Sequence, residues 1–214
     1  MLEVAIFGCG GHAKVVADII EVQNQFRIAC FVSDKYYFDS FIGYECVVEA
    51  DFWSMGINRG VVAIGDNWTR YKKVENILSH LPEFKFSTLV HPSATVARGV
   101  TVGEGTVVMA KSVVNTSSLI GKHVIINTNS SVDHDCFLDD FSSIGPGTTL
   151  GGSCAIGGCS AISLGASLIH KIKVGKNSVI GAGSLVIRDV GDGIVAYGHP
   201  CVEIRKRESG ESYL

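Results

Sequence analysis

The second half of the chain follows a six-residue period. An aliphatic residue stands at every sixth position from Val90 to Val186, without a break. The residue four places later is nearly always small, as at Ser130 and Cys136, with Ile172 as the exception. The residue directly after the aliphatic is often Gly, Asn or Asp, and these types turn a chain at little steric cost. Such a repeat is typical of a periodic architecture in which one short unit stacks on the next.

A hexad of this kind predicts a parallel β-helix. Each hexad forms one short strand and one corner, and three hexads close a triangular coil of about 18 residues. Coils stack at strand spacing, about 4.8 Å. The aliphatic then fills the interior and the small residue packs beside it. In this register Cys136 points inward, which makes it a packing residue, while His134, two places after the aliphatic Val132, lies at an outward corner.

The period also predicts which corner residues stack. The positions one coil apart from His134 are Thr116, Gly152, His170 and Arg188. The corner offset by one hexad carries Thr128, Pro146, Leu164 and Ala182. These two columns combine a histidine, a glycine without a side chain, and small or apolar residues. Such a combination predicts one wall of a groove. The alternative is an ordinary solvent-facing corner, where Asp133 and Asp135 only keep the histidine hydrated.

A metal site is the less favoured interpretation of the histidines. His123, His134 and His170 lie at offsets that do not form one close set within a chain, and no H-x-x-x-H spacing occurs. We therefore predict no metal, although the spacing leaves open a zinc site shared between subunits.

The first 88 residues have a different rhythm. Strand-like LEVAIF, RIACFV and GVVAIG alternate with helix-like HAKVVADIIEV and DNWTRYKKVENILSHL. Asp66 or Asn67 can cap the last of these helices. The alternation predicts an α/β, Rossmann-like βαβαβ domain over residues 1–88. An all-β domain over residues 89–214 follows it.

A glycine loop ends the first predicted strand. Gly8, Gly10 and Gly11 precede His12 in a G-x-G-x-x-A pattern, which offers backbone N–H groups and a helix N-terminus to phosphate oxygens. Asp34 follows the second strand, where a carboxylate can bind a ribose or a base edge. The domain is too short for a dinucleotide, so a mononucleotide or nucleotide-sugar is favoured over NAD. Tight turns without a ligand are the alternative.

A second glycine turn can complete this pocket. It comprises Gly65, Asp66 and Asn67, and it lies beside Arg70.

Composition and charge limit which partners and which cell compartment are plausible for the chain. A net charge of −3, with no basic run beyond residues 205–207, argues against nucleic acid. Seven cysteines, an odd number without a C-x-x-C pair, predict a reduced, cytoplasmic protein. The N-terminal MLEVAIFGCGGH does not have the pattern of a signal peptide, and no window of about 18 apolar residues predicts a membrane span.

Several segments together resemble one family. GCGGHAKVVADII, AIGDNWTRYK, HPSATV, NTNSSVDHDC and GAGSLVIRDV are similar to segments of bacterial sugar acetyltransferases. That family includes sialic-acid O-acetyltransferases and nucleotide-linked 4-amino-sugar N-acetyltransferases, and the resemblance covers essentially the whole chain. It implies a left-handed coil, acetyl-CoA as co-substrate, and a homotrimer with active sites between subunits. The tail YGHPCVEIRKR departs from the GNPAK of relatives.

The resemblance also implies roles for individual residues. His134 matches the catalytic base, Asp135 the acid that orients it, and Asn127 an asparagine of the same motif; Asp133 remains an alternative partner. The implied coenzyme A positions are Ser143, Gly152, Leu164, Ala182 and Arg188, with the Gly152 backbone facing the acetyl carbonyl. The implied nucleotide-sugar positions are Gly8, Gly10, Gly11, His12, Asp34, Gly65, Asp66 and Arg70.

The sequence therefore predicts an N-acetyltransferase that acts on a nucleotide-linked amino-deoxy sugar in bacterial surface glycan biosynthesis. A sugar O-acetyltransferase of the sialic-acid type is the first alternative. A non-enzymatic β-helix binding protein and a γ-type carbonic anhydrase are less favoured.

Overall fold

The N-terminal part of the chain is a parallel sheet with helices on its faces. The structure is a computed structural model and describes residues 1–37 and 39–213. The sheet has the strand order β3-β4-β2-β1-β5-β6, and only the β3–β4 pair is antiparallel. Its elements are β1 (Leu2–Phe7), α1 (Gly11–Gln23), β2 (Phe26–Ser33), β3 (Ser40–Phe41), β4 (Tyr44–Val48), α2 (Glu49–Phe52), β5 (Arg59–Val62), α3 (Asn67–His80) and β6 (Lys85–Phe86).

This region confirms the predicted alternation of strands and helices and adds elements to it. Helix α1 buries Val16, Ile19 and Ile20 against the sheet, as its spacing predicts, whereas Val15 is exposed. Asp66 is the N-cap of α3, since its carboxylate accepts from the Thr69 backbone N–H at 2.8 Å. The short elements β3, β4, α2 and β6 have no clear period in the sequence and were not predicted.

From Leu89 onward the chain forms the predicted β-helix. Each hexad contributes one two-residue strand. Each of these strands pairs in parallel with the strand three places further along the chain, which is one coil away. The first face contains β7 (Leu89–Val90), β10 (Val107–Val108), β13 (Ile125–Ile126), β16 (Ser143–Ile144), β19 (Ala161–Ile162) and β22 (Val179–Ile180). The second face contains β8 (Thr95–Val96), β11 (Val113–Val114), β14 (Ser131–Val132), β17 (Thr149–Leu150), β20 (Ser167–Leu168) and β23 (Leu185–Val186). The third face contains β9 (Thr101–Val102), β12 (Leu119–Ile120), β15 (Phe137–Leu138), β18 (Ala155–Ile156) and β21 (Lys173–Val174).

The interior of the coil is the stack of hexad aliphatics. Ile126, Val132 and Leu138 are fully buried, and each touches its equivalents above and below through this continuous core. Cys136 is 1% exposed, so the prediction that its thiol packs inward is confirmed. Transfer of such aliphatic surface out of water is the main stabilising contribution to a solenoid of this kind.

The turn chemistry differs from the prediction in one respect. From Val96 to Ile180 the left-handed corner residue is the third after the aliphatic, as at Asp135 (φ +58°) and Gly147 (φ +65°), and not the first. Glycine directly after the aliphatic serves close approach instead. A Cβ on Gly151 would lie 2.6 Å from the backbone nitrogen of His170 in the next coil.

A hairpin completes the first face. Strand β24 (Ile194–Gly198) pairs with β22 in parallel and with β25 (Cys201–Lys206) in antiparallel fashion. Residues 207–213 then turn back toward α3 and the coil. In the described part of the chain, no helix has the length and apolar character needed to cross a bilayer.

Arg70 joins the sheet region to the coil. Its side chain is 1% exposed, and all five N–H donors are used within the protein. On the sheet side they reach the carbonyls of Ile64 and Gly65, each at 2.9 Å, and the Asn67 side chain. On the coil side they reach the carbonyls of His123 and Phe141, each at 2.9 Å. The guanidinium therefore fixes the second glycine turn against the coil.

Packing reinforces this junction. The His123 ring stacks on Phe141 with centroids 4.9 Å apart and meets Phe86 of β6 edge-on at 4.6 Å. Burial, with Arg70 as a further cause, lowers the pKa of His123 to about 4, so this histidine is neutral at pH 7. Strand β6 ends just before residue 88 and β7 begins just after it. The domain boundary at this residue stays a prediction.

Replacement of Arg70 should loosen this junction. Arg70→Ala leaves several buried carbonyls without a donor, and each unsatisfied group costs about 1–3 kcal/mol. We expect the free energy of unfolding to fall by about 3 kcal/mol or more, measured by urea denaturation. Arg98→Ala is the control, because Arg98 is exposed on the coil, and its effect should stay within about 0.5 kcal/mol. Equal stability of the two variants would contradict the role of Arg70 at the junction.

Candidate active site

His134 stands on the corner between the second and third faces. It follows the interior residue Val132 of β14, and the chain turns at Asp135 before it enters β15. Its imidazole Nδ1 lies 2.7 Å from Oδ2 of Asp135. The side chain is 54% exposed, so the ring is open to a ligand or to another chain.

The two neighbouring aspartates make different contacts. Asp133 Oδ1 accepts the backbone N–H of His134 at 2.8 Å and the side-chain amide of Asn115 at 2.9 Å. It therefore holds the corner backbone. Asp135 contacts the imidazole, and of the two carboxylates it is the one placed to orient the ring.

The carboxylates change the proton affinity of the histidine. The hydrogen bond to Asp135 raises the pKa of His134, and the charge of Asp133 adds to the effect. Nδ1 faces a carboxylate, so in the neutral imidazole the proton belongs on Nδ1 and Nε2 carries the free lone pair. The ring can thus accept a proton at Nε2.

Gly152 lies directly under the imidazole. A Cβ on Gly152 would be 2.6 Å from Nε2 and 2.6 Å from Cε1 of His134, a separation that real Cβ atoms do not show. Only glycine lets the ring occupy this position. The Gly152 carbonyl accepts from Lys171. Among the contacts of the described residues, the Gly152 N–H has no hydrogen-bond partner.

The remaining stacked positions of this corner are exposed. Thr116, His170 and Arg188 lie above and below His134, as the 18-residue register predicts. Residues 1–37 and 39–213 contain no group of three His, Cys, Asp or Glu side chains that could hold a metal ion.

The glycine loop forms one wall of a cavity of about 640 Å³. Gly8 has φ +119°, and a Cβ there would lie 2.9 Å from the Ala63 carbonyl oxygen, so the first glycine is required by the tight turn. Gly10 and Gly11 face open space instead, which leaves room for a phosphate beside the start of α1. His12, Asp34 and Gly65 also line the cavity.

Lys73 is a cavity residue that the sequence did not reveal. Its ammonium, on α3, contacts the carboxylate of Asp34 and lies 2.8 Å from Glu49. Residues 66–81 read only as an amphipathic helix, and nothing in the local pattern shows that Lys73 reaches across to the loop after β2. The lysine places a positive charge at the cavity edge.

Two predicted substrate residues have structural positions instead. Arg70 is buried and each of its donors bonds to an acceptor within the protein, and its role in binding the nucleotide-sugar stays a prediction. Asp66 caps α3 through Oδ1, which accepts from both the N–H and the hydroxyl of Thr69, and it is absent from the residues that line the glycine-loop cavity. Its neighbour Gly65 does line that cavity.

A second cavity, of about 410 Å³, adjoins the first and is called the cleft here. It lies between the second glycine turn and the first face of the coil. Its lining includes the predicted coenzyme or motif residues Asn127, Ser143, Leu164 and Ala182. His12 and Gly65 line both cavities, so the two adjoin at these residues.

The structure does not bring all predicted site residues together within one chain. Asn127 stands at the corner between the first and second faces, where its Oδ1 accepts from the Thr128 N–H at 2.8 Å. His134, Gly152 and Arg188 stand one corner further on and do not line the cleft. The second face of the coil separates the two groups.

Comparison with known proteins identifies the family. Residues 3–77 match the model of the PglD N-terminal domain. A crystal structure of perosamine N-acetyltransferase from Caulobacter crescentus, bound to CoA and GDP-perosamine, is 34% identical, with a TM-score of 0.89. The match covers 95% of this chain and 97% of that one. The chain belongs to the hexapeptide-repeat sugar N-acetyltransferases.

Other members of the family agree. The acetyltransferase domain of PglB from Neisseria gonorrhoeae FA1090, solved with acetyl coenzyme A, is 35% identical over 94% of this chain and 98% of that one, with a TM-score of 0.88. UDP-N-acetylbacillosamine N-acetyltransferase of Bacillus subtilis (strain 168) is 35% identical over 123 residues. That alignment spans 51% of this chain and 52% of that relative, about half of each. The two solved structures share this chain's fold, an α/β domain followed by a left-handed coil.

The contact between Gly152 and His134 can be tested directly. Gly152→Ala introduces a methyl group where the imidazole lies, so the ring must move. We expect kcat to fall at least about tenfold, which corresponds to about 1.4 kcal/mol of lost transition-state stabilisation. Gly158→Ala is the matched control, since Gly158 holds the same hexad position in the following corner and its Cβ would lie 3.3 Å from its nearest neighbours, a carboxylate oxygen of Asp139 and the Asp140 carbonyl oxygen. Similar kcat values for the two variants would show that the position of the His134 ring does not limit turnover.

Proposed function

We propose that the protein transfers the acetyl group of acetyl-CoA to the amino group of a nucleotide-linked amino sugar. The observation that carries the proposal is the His134–Asp135 pair over the bare Gly152, in a chain that also has a glycine-loop cavity. Solved relatives of about one-third identity hold CoA with GDP-perosamine, or acetyl coenzyme A.

His134 acts as the general base in this proposal. Asp135 keeps the Nδ1 proton in place, so Nε2 takes a proton from the sugar amine as its nitrogen attacks the thioester carbonyl. The N–C bond forms, the C–S bond breaks, and the thiolate of coenzyme A leaves and is protonated. Cys136 takes no part, since it is buried inside the coil.

The backbone at Gly152 supplies the second catalytic element. Gly152 lies under the imidazole, and its N–H has no hydrogen-bond partner among the described residues, so it can donate to the carbonyl oxygen as that atom gains negative charge during attack. One such donor contributes about 3–4 kcal/mol to the transition state in well-studied acyl transfer enzymes.

The acceptor occupies the two adjoining cavities. The glycine loop and the N-terminus of α1 bind the diphosphate, and Asp34 binds the ribose or the base edge. The sugar then extends past His12 and Gly65 into the cleft. Coenzyme A lies along the coil beside Ser143, Leu164 and Ala182, whose side chains are small or apolar.

The active site requires two copies of the chain. His134 and the cleft lie on different corners of one coil, so a rotational assembly must bring the histidine corner of one subunit to the cleft of its neighbour. A homotrimer satisfies this with three equivalent sites. The seven cysteines are free and the co-substrates are those of central metabolism, which supports a cytoplasmic location.

An O-acetyltransferase is the second candidate. A galactoside O-acetyltransferase of Lactococcus lactis is 49% identical over 45 residues, which is 21% of this chain. The same histidine corner would serve a sugar hydroxyl, so the acceptor panel below includes both kinds of substrate.

Substitution of His134 tests the mechanism. His134→Gln should reduce kcat by at least about a hundredfold, a typical contribution of a general base, while acetyl-CoA binding measured by calorimetry is retained. Turnover is measured with a panel of UDP-, GDP- and dTDP-linked amino sugars and with free sialic acid. The wild-type rate should fall as the pH drops through the raised pKa of His134, because the base becomes protonated, and the variant should lack this limb.

Cys136→Ala is the matched control for that experiment. It changes an inward residue two places away on the same corner, so it should cost about 1 kcal/mol of stability and keep the chemistry. Near-normal turnover of His134→Gln would show that His134 is not the general base. Faster acetylation of sialic acid than of every amino sugar in the panel would show that the acceptor is a hydroxyl and not an amine.

A further inference from the structure

The C-terminal tail reaches the junction of the two cavities. After β25 the chain turns back, and Tyr213 becomes part of the lining of the cleft. Its hydroxyl lies 3.3 Å from the carbonyl oxygen of Gly65 and 3.4 Å from Oγ of Ser143. Tyr213 therefore contacts the second glycine turn on one side of the cleft and the coil on the other.

These two contacts satisfy the hydroxyl poorly. Hydrogen bonds between oxygens are usually about 2.5–3.0 Å long, so both distances are near the outer limit. Burial raises the pKa of Tyr213, and the phenol therefore keeps its proton at neutral pH and remains a donor. A partly buried donor with only long contacts has capacity for a better acceptor.

A second polar group at the same junction has no hydrogen-bond partner among the described residues. Nε2 of His12 is buried, and it has no hydrogen-bond partner among the described residues. Burial, with the charge of Arg70 as a lesser cause, lowers the pKa of His12 to about 4, so the ring is neutral. Buried polar atoms in native proteins are nearly always hydrogen-bonded, and His12 is a residue that lines both cavities. The two groups together indicate a polar ligand at this junction.

We propose that Tyr213 is a binding residue of the acceptor site, where its hydroxyl donates a hydrogen bond to the sugar of the nucleotide-linked substrate. The inference rests on the proposed function. A substrate with its nucleotide at the glycine loop and its amine in the cleft must pass His12 and Gly65, and Tyr213 stands where the sugar follows the diphosphate. Tyr213 does not line the glycine-loop cavity, so it contacts the sugar and leaves the nucleotide to that cavity.

The tail holds the phenol in place from outside the cleft. Arg207 is 8% exposed and donates to the carbonyl of Asn177 at 3.0 Å and to that of Glu211. Its guanidinium also lies over the Tyr213 ring, 5.5 Å from the centroid. Because these contacts involve the ring and the backbone, Tyr213→Phe removes the hydroxyl and keeps the tail in position.

Binding and kinetics of Tyr213→Phe test the inference. One neutral hydrogen bond corresponds to a change of about three- to tenfold in affinity. We expect the Kd and KM for the nucleotide-linked amino sugar to rise by that factor. The KM for acetyl-CoA, the kcat, and the Kd for the free nucleoside diphosphate should stay within about twofold. Tyr71→Phe is the matched control, since its hydroxyl bonds to Glu75 on the surface of α3, and it should leave all five constants unchanged.

Three outcomes would overturn the inference. An unchanged Kd for the nucleotide sugar means that the hydroxyl has no contact with it. A lower Kd means that the tail competes with the acceptor. A rise confined to the KM for acetyl-CoA, or a rise that the Kd for the free nucleoside diphosphate shares, assigns Tyr213 to another ligand. Calorimetry measures acceptor binding without turnover, so an absence of acetylation in the wild type would be recognised separately as a failure of the proposed function.

Discussion

The strict stacking of the coils is the constraint on which the rest of the structure depends. Each hexad aliphatic must lie on its equivalent one coil away, so every corner position is fixed relative to the positions 18 residues before and after it. That register places Gly152 under His134 and exposes the ring. The third residue after the aliphatic adopts a left-handed backbone conformation at these corners. At Asp135 this conformation lets the carboxylate reach the imidazole. The reactive geometry is therefore a consequence of the packing of the core.

Arg70 extends this rigidity to the second glycine turn. A buried guanidinium with no carboxylate partner is costly, and here five hydrogen bonds to neutral acceptors on both sides of the junction offset the desolvation. The charge also contributes to the lowered pKa values of His12 and His123. Because Gly65 and His12 border both cavities, the junction that Arg70 fixes is also the passage by which a sugar would reach the coil.

Much of this could be predicted from the sequence, and the reasons for the remainder are physical. The hexad period gave the coil, the inward Cys136 and the column containing His134, since each follows from a repeat that the core enforces. The carbonyl contacts of Arg70 could not be predicted, because an arginine beside a glycine turn has the same local pattern whether it binds phosphate or backbone carbonyls. Lys73 and Tyr213 were missed because each reaches the cavities only through tertiary packing, from a helix and from a tail with no period of its own. The sequence also did not show that the cleft and His134 lie on different corners. That result depends on where the N-terminal sheet packs on the coil, which the repeat alone does not specify.

The central claim is that one active site joins the histidine corner of one subunit to the cleft of another, and mixed assemblies test it most directly. His134→Gln lacks the base, and Leu164→Trp fills the cleft at a residue that is 58% exposed there. Each variant alone should be inactive. In a trimer with sites between neighbours, every mixed assembly has one intact site, so random one-to-one mixing should restore about a quarter of the wild-type turnover. Turnover that stays at the level of the separate variants, in preparations shown by native mass spectrometry to contain mixed trimers, would contradict the account.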